Sequence, residues 1–370
     1  MNKTLRIVVP GIAAAAMAAT LTACGSSSSG NGGSGSGTDL TAGGSSAQKD
    51  AQGAWTNAFN GGTVTYDGSQ SSGIGKSKFS SGEYAFGGSD SALKEDLATN
   101  THELSKATAH CGGIAPIEVP VYISPIAVVF NVPGVTSLNL DAATIAKIFS
   151  LKIVNWNAPA IKALNPSATL PNLPIQVAHR STSSGTTNNF TDYLYKAAPA
   201  AWATAASSDW PTALADKGLK AAATSDMKQA VTGTSGAIGY IDASKDAGMG
   251  IVSVAVGGGY TAPSAAGAAA DFADSKLKDA TKATELIYSV DRTPTNKAAY
   301  PITLVSYVIA CQDYSKTSPA AASGTGAAVK AYLTYITSTD GQTVGSDAAK
   351  SAPLPAAIQK QVAAVVATIK

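Results

Sequence analysis

Val119-Pro120-Val121-Tyr122-Ile123-Ser124-Pro125-Ile126-Ala127-Val128-Val129-Phe130 is a long apolar run rich in β-branched residues, and it reads as a strand. A second such run, Ile302 to Ala310, lies near the other end of the chain. Shorter strand-like runs occupy residues 63–66, 84–86, 175–178, 237–241 and 251–256. Helical patterns cover residues 47–59, 142–149, 187–195, 227–231, 327–336 and 356–369. Strands alternating with helical patterns argue for an α/β fold. Pro- and Gly-rich stretches at 131–134 and 165–174 read as connections, and the small, weakly charged stretch 257–270 as a surface loop. No internal repeat at a fixed period is present.

The N-terminus reads as a processing signal. Lys3 and Arg6 precede an apolar run, residues 7–19, that is too short to span a bilayer. Leu21-Thr22-Ala23-Cys24 resembles the bacterial lipobox, in which the cysteine becomes the first residue and carries lipid. The small residues before Cys24 also suit an ordinary signal peptidase. Residues 25–38, almost all Ser and Gly, read as a flexible tether. The expected organisation is a signal peptide at 1–23, a lipidated Cys24 with linker at 24–38, and a folded part from residue 39. Its expected location is extracytoplasmic, anchored by lipid to the cell membrane. Export favours a disulfide between Cys111 and Cys311; two separate buried thiols are the alternative.

A common plan for exported α/β chains of this size is two lobes around a cleft, crossed more than once. The two long apolar runs are the candidate crossing strands. Residues 39–124 and 301–370 then form one lobe, and 125–300 the other.

Composition narrows the function. Lys and Arg total 26 and Asp and Glu 24, and processing at Cys24 removes two basic residues and no acidic one. The mature chain is then neutral. Nucleic acid is a poor partner, because no basic surplus exists to neutralise phosphates. Any anion must be held by local groups.

Four segments combine small residues and hydroxyls ahead of an expected helical run: residues 43–46, 69–73, 87–90 and 179–186. A helix start offers free N–H groups and partial positive charge, and glycine lets the backbone approach a ligand. Together they suit an anion cradle. Arg180 precedes the helix opening at Ser184-Gly185-Thr186, and its planar fork suits a tetrahedral oxyanion. Asp90 repels a bare anion but accepts a hydrogen bond from a protonated one. Phosphate keeps a proton near neutral pH, and sulfate has none. A site built on such a bond rejects the analogue lacking it by ~10⁴ to 10⁵. The plainer reading of Asp90 is a cap for a helix beginning near Ser91. Gly75-Lys76-Ser77 lacks the upstream glycine of a P-loop, since position 70 is Gln. There is no Gly-x-Ser-x-Gly elbow. His102 and His110 are expected at the surface, and no metal-ligand spacing surrounds His179.

Several motifs, in order, resemble one family. They are Leu40-Thr41-Ala42-Gly43-Gly44-Ser45-Ser46, Tyr66-Asp67-Gly68-Ser69-Gln70-Ser71-Ser72-Gly73, Phe86-Gly87-Gly88-Ser89-Asp90, Arg180 through Phe190-Thr191-Asp192-Tyr193-Leu194, and Gly236-Ala237-Ile238-Gly239-Tyr240. The chain resembles the phosphate-binding protein of bacterial high-affinity phosphate ABC importers from Leu40 onward. The resemblance implies a hinged, two-lobed periplasmic-binding-protein-like fold (type II) with the ligand in the interlobe cleft. It implies a monomeric binding protein rather than an enzyme, with no cofactor and no metal. The implied partners are inorganic phosphate, the membrane permease subunits and the membrane itself through the lipid anchor. At matched positions Ser46 stands where the family has a threonine donor, and Ser71 where it has a serine donor. Asp90 matches the proton-accepting aspartate and Arg180 the single arginine. Ser184, Gly185 and Thr186 match the helix-start donors. Two departures bear on affinity and on selectivity over arsenate. The family's Thr-Phe-Pro is here Ser46-Ala47-Gln48, and its aspartate two residues after the arginine is Thr182. The alternatives are a binder of another tetrahedral oxyanion and an extracellular phosphatase on the same scaffold.

Overall fold

The computed structural model describes residues 38–370, so the signal peptide, Cys24 and nearly all of the linker lie outside it. One eleven-stranded mixed sheet organises the chain. Its first edge is built from β1 (Leu40–Gly44), β2 (Val64–Asp67) and β3 (Gly87–Ser89), mutually parallel in the order β2-β1-β3. A small hairpin, β4 (Glu95–Asp96) with β5 (Thr101–His102), follows outside the main sheet. β6 (Ile117–Phe130) is the longest strand and is buried throughout. Beyond it come β7 (Ser137–Leu140), β8 (Gln176–Arg180), β9 (Leu219–Ala221), β10 (Ala237–Asp242), β11 (Gly250–Val256) and β12 (Gly259–Thr261). A second small hairpin joins β13 (Lys276–Leu277) to β14 (Tyr288–Ser289), and β15 (Thr303–Ala310) returns to the main sheet.

The main path runs β2-β1-β3-β15-β6-β10-β8-β9. β6 changes partners along its length. Residues from Ile117 to Pro125 pair antiparallel with β15, and those from Ile126 to Phe130 pair with β10. Its two prolines sit where a missing N–H costs little. Pro120 lies opposite Tyr307, beside a register shift, and Pro125 lies at the handover between partners. The two long apolar runs form β6 and β15, which pair with each other along the length of β15. Cys111 and Cys311, just before the first and after the second, are joined in a disulfide with Cα atoms 5.3 Å apart.

Helices α1 (Lys49–Ala58), α2 (Ser72–Ser80) and α3 (Glu103–His110) follow the first strands. α4 (Ala142–Phe149), α5 (Pro159–Leu164), α6 (Gly185–Ala197), α7 (Thr224–Gly233) and α8 (Ala265–Phe272) accompany β7 to β12. α9 (Thr325–Ile336), α10 (Thr339–Ala349) and α11 (Ala356–Val366) close the chain. α1 docks on α10 through Trp55, whose indole N–H donates to the Gly341 carbonyl at 2.6 Å. Gly345 makes room there, since a Cβ on it would lie 2.4 Å from the Trp55 ring.

The structure corrects four local expectations. Residues 84–86 lie outside any strand, and the strand falls on the neighbouring Gly87–Ser89. The stretch 257–270 is not a loop: it holds β12 and most of α8, capped by Ser264 and packed on β6. No helix begins at Ser91. His110 is buried, its ring set edge-on against Phe79.

Candidate functional site

β1, β3, β8 and the starts of α1, α2, α6 and α7 converge on Asp90. β1 ends at Gly44, whose φ of +139° and approach to the Gly88 carbonyl exclude a side chain. The chain then turns so that Ser45 and Ser46 are buried ahead of α1. The Ser45 hydroxyl donates to Asp90 Oδ2 at 2.5 Å, and the Ser306 hydroxyl from β15 donates to Oδ1 at 2.7 Å. Ser72 and Thr186 each reach Oδ2 at 3.5 Å. Asp90 is therefore a carboxylate ringed by hydroxyl donors. Burial pushes its pKa above the ordinary value, opposed by Ser45 and Ser306 and then by the Arg180 charge.

Arg180 ends β8 and is buried. Its Nε donates to the Ala222 carbonyl at 3.1 Å and its Nη1 to Ser184 Oγ at 3.0 Å. Nη2 also reaches the Ala222 carbonyl, and Thr182 Oγ1 at 3.2 Å. Burial pulls this guanidinium's pKa below its ordinary value, while Tyr240, Asp90 and Asp226 oppose the shift. Ser184 caps α6 by accepting from Thr187 N. Gly185 lies so close to Asp90 that a Cβ would sit 2.7 Å from the Asp90 carbonyl carbon.

Ser46 and Thr224 share a hydrogen bond at 2.8 Å across 178 positions, and Thr224 N donates to Ser46 Oγ. Ser71 is buried and caps α2, accepting from Ile74 N. Gly73 N donates to the Ser183 carbonyl, so the starts of α2 and α6 abut. Ser46, Ser71, Asp90, Arg180, Ser184, Gly185 and Thr186 are thus all buried, and the segments that carry them meet at one place. Sequence reasoning missed Ser45, Ser72, Thr224 and Ser306. The first two lay inside quoted motifs, whereas Ser306 sits in an apolar run that shows no chemical pattern.

A cleft of about 540 Å³ opens beside this cluster, lined in part by Asp90, Ser183, Asn189 and Arg292. Arg180, Ser46 and Ser71 do not line it. Of the expected residues, Asp90 alone lines it. Among the described residues no group of three His, Cys, Asp or Glu side chains is placed to hold a metal. No described helix is long and apolar enough to cross a membrane.

A family model described as a PBP superfamily domain matches residues 26–340. The phosphate-binding protein PstS 3 of Mycobacterium tuberculosis (strain ATCC 25618 / H37Rv) is 35% identical over 304 residues, covering 80% of this chain and 77% of that protein. PstS 2 of the same strain is 34% identical over 339 residues, covering 90% of this chain and 87% of its own. This chain belongs to the PstS family. Among solved structures, a high-affinity periplasmic phosphate-binding protein with phosphate bound matches with a TM-score of 0.66 at 22% identity, covering 88% of this chain and 93% of that one. The phosphate-binding protein of Stenotrophomonas maltophilia matches with the same TM-score at 21% identity, over 88% of this chain and 93% of its own. These likenesses carry the PstS fold. The resemblance implies an aspartate at position 182, where this chain has Thr182. Here Thr182 still accepts from Arg180 Nη2, and donates at 2.7 Å to the Ala222 carbonyl that Arg180 also uses. The arginine is oriented by neutral acceptors instead of a second carboxylate.

Proposed function

We propose that this protein binds inorganic phosphate outside the cytoplasmic membrane and delivers it to the permease of an ABC-type importer. It acts as a monomeric binding protein and catalyses no reaction. The observation that carries the reading is Asp90, one buried carboxylate among hydroxyl donors beside a buried guanidinium and a helix start. An acceptor inside an anion cradle suits an anion that brings its own proton.

The ligand is held by Ser46, Ser71, Asp90, Arg180, Ser184, Gly185 and Thr186. The lobes are residues 39–124 with 301–370, and residues 125–300, hinged where β6 and β15 cross. Cys24 carries the lipid that tethers the protein to the membrane. Closure excludes water and strengthens each charge-assisted bond. A Kd of ~1 µM corresponds to about −8.2 kcal/mol. Several ionic hydrogen bonds of ~1.5–3 kcal/mol each cover that after ordering costs.

The test is calorimetric titration of phosphate, arsenate and sulfate into phosphate-stripped protein. Phosphate should bind and sulfate should not. Arg180→Ala and Asp90→Ala should each lose most of the affinity. Sulfate binding on a par with phosphate would point to a general oxyanion carrier, and turnover of a chromogenic phosphate ester to a phosphatase.

A further inference from the structure

Behind Asp90 lies a buried relay. Tyr332 on α9 donates to Gln52 Oε1 at 2.7 Å, and Gln52 Nε2 donates to Gln48 Oε1 at 2.8 Å. Gln48 Nε2 donates to Ser306 Oγ and to the Tyr307 carbonyl, both at 2.8 Å. Ser306 Oγ then donates to Asp90 Oδ1 at 2.7 Å. Gln48, Gln52 and Ser306 are fully buried.

The direction of each bond is fixed by chemistry. An amide nitrogen only donates. Gln48 Nε2 meets two oxygens and Gln48 Oε1 meets a donor, so the amide has one workable orientation. The Ser306 hydroxyl receives a donor from Gln48, so its own proton points to Asp90. The backbone is shaped to allow this. The β6–β15 register shifts between Ser306 and Tyr307, where Gln48 reaches both residues. Gly88 leaves room for the amide, since a Cβ there would lie 2.8 Å from Gln48 Oε1. Gln48 stands where the PstS pattern has proline, which carries no side-chain donor.

We infer that Gln48 is a positioning residue for anion discrimination: by fixing the Ser306 hydroxyl as a donor, it holds Asp90 as an acceptor, so that the site demands a ligand that brings a proton. This rests on the phosphate-binding reading above. Gln48 does not touch the anion. Without it Ser306 is free to turn, Asp90 loses a donor and takes up a proton more readily. A protonated Asp90 donates, and a fully ionised oxyanion then fits.

The groups facing Asp90 are Arg180 from β8, Tyr66 from β2, Tyr122 from β6 and Asp242 from the end of β10, besides the hydroxyls. All remain in the variants, so comparison with the parent isolates the relay.

The test measures phosphate and sulfate affinity from pH 8 down to pH 5 for the parent protein, Gln48→Leu and Ser306→Ala. The smaller Ser306→Ala change removes the same donor if Gln48→Leu fails to fold. In either variant the acid-side loss of phosphate affinity should begin about half a pH unit or more higher than in the parent. Sulfate discrimination at the acid end should fall at least about tenfold. A parent that binds phosphate while both variants keep its pH profile and its sulfate rejection overturns the relay alone. A parent that binds no phosphate overturns the functional reading and the relay together.

Discussion

Asn189 Nδ2 donates to the backbone carbonyl of Asp90 at 2.6 Å, across 99 positions of chain. The same nitrogen donates to the Gly185 carbonyl, and Asn189 Oδ1 accepts from Arg292 Nη2 at 2.8 Å. Arg292 also pairs with Asp192 on α6 at 2.9 Å and donates to the Thr303 carbonyl at the start of β15. One amide thus ties α6, which carries the helix-start donors, to Asp90 and, through Arg292, to β15. Asn189→Leu strands the Arg292 donor and the Asp90 carbonyl, at ~1–3 kcal/mol for each unsatisfied group. Where these bonds form on closure, phosphate affinity should fall by about thirtyfold or more, mostly through faster release. Stopped-flow release and calorimetry check this, and an unchanged release rate removes the tie from the closing step.

Gly185 offers a cleaner probe of the same contact. Its φ lies in the region open to any residue, so alanine leaves α6 undisturbed. Its Cβ, however, would lie 2.8 Å from both Asp90 Cβ and Ser72 Oγ. Overpacking of this kind costs ~1–3 kcal/mol, here only when the segments meet. Gly185→Ala should weaken phosphate binding by roughly five- to a hundredfold while the melting temperature of phosphate-free protein stays put. An equal loss in both measurements would place the clash in the resting fold.

How much of this was legible follows from what side chains reveal. β6 and β15 announced themselves as unbroken apolar runs buried at every position, and α4 and α6 by apolar residues at helical spacing. Three of the four site motifs were legible because glycine and hydroxyl residues cluster at helix starts; the Gly87–Asp90 motif precedes none. α2 and β3 were not legible as elements. Gly75 on α2 is pressed against Gly44 and Gly88, and glycine at a close approach erases the apolar stripe that marks a helix. α8 was hidden by its run of alanines, which form a helix readily but give no contrast between faces. Ser306 was invisible because its role depends on a register shift between strands far apart in sequence. Gln48 showed only as a departure from the family pattern, and its partners emerged from the fold.

The Cys111–Cys311 bridge closes a loop of 200 positions. On the chain-entropy account, a loop that long stabilises the fold by about 5 kcal/mol, and measured values commonly fall to ~2–4. Replacing both cysteines with alanine should lower the unfolding free energy by that amount, read from urea melts. Phosphate affinity should change little, because the bridge fastens the outer ends of β6 and β15, away from Asp90. A large loss of affinity at intact stability would mean the bridge sets the crossing angle of these strands.

Glu118 on β6 sets the expected pH dependence of stability. It is buried, and its Oε2 accepts from Leu93 N at 2.8 Å. Burial raises its pKa from 4.5 to about 7, with Glu285 and Glu103 adding and Leu93 N–H and Lys76 opposing. A raised carboxyl binds its proton more tightly in the folded chain than in the unfolded one. Its contribution is therefore fully present below pH 4.5 and is lost as pH rises to about 7. The loss is at most about 3 kcal/mol. Asp271, held near 7, and Asp242, held near 6, act with the same sign. Glu118→Gln keeps an acceptor for Leu93 N and cannot ionise. Its unfolding free energy should thus gain on the parent's between pH 4.5 and 7, flattening part of the profile. A constant offset between the two curves would show that Glu118 stays ionised in the fold, with Lys76 outweighing burial.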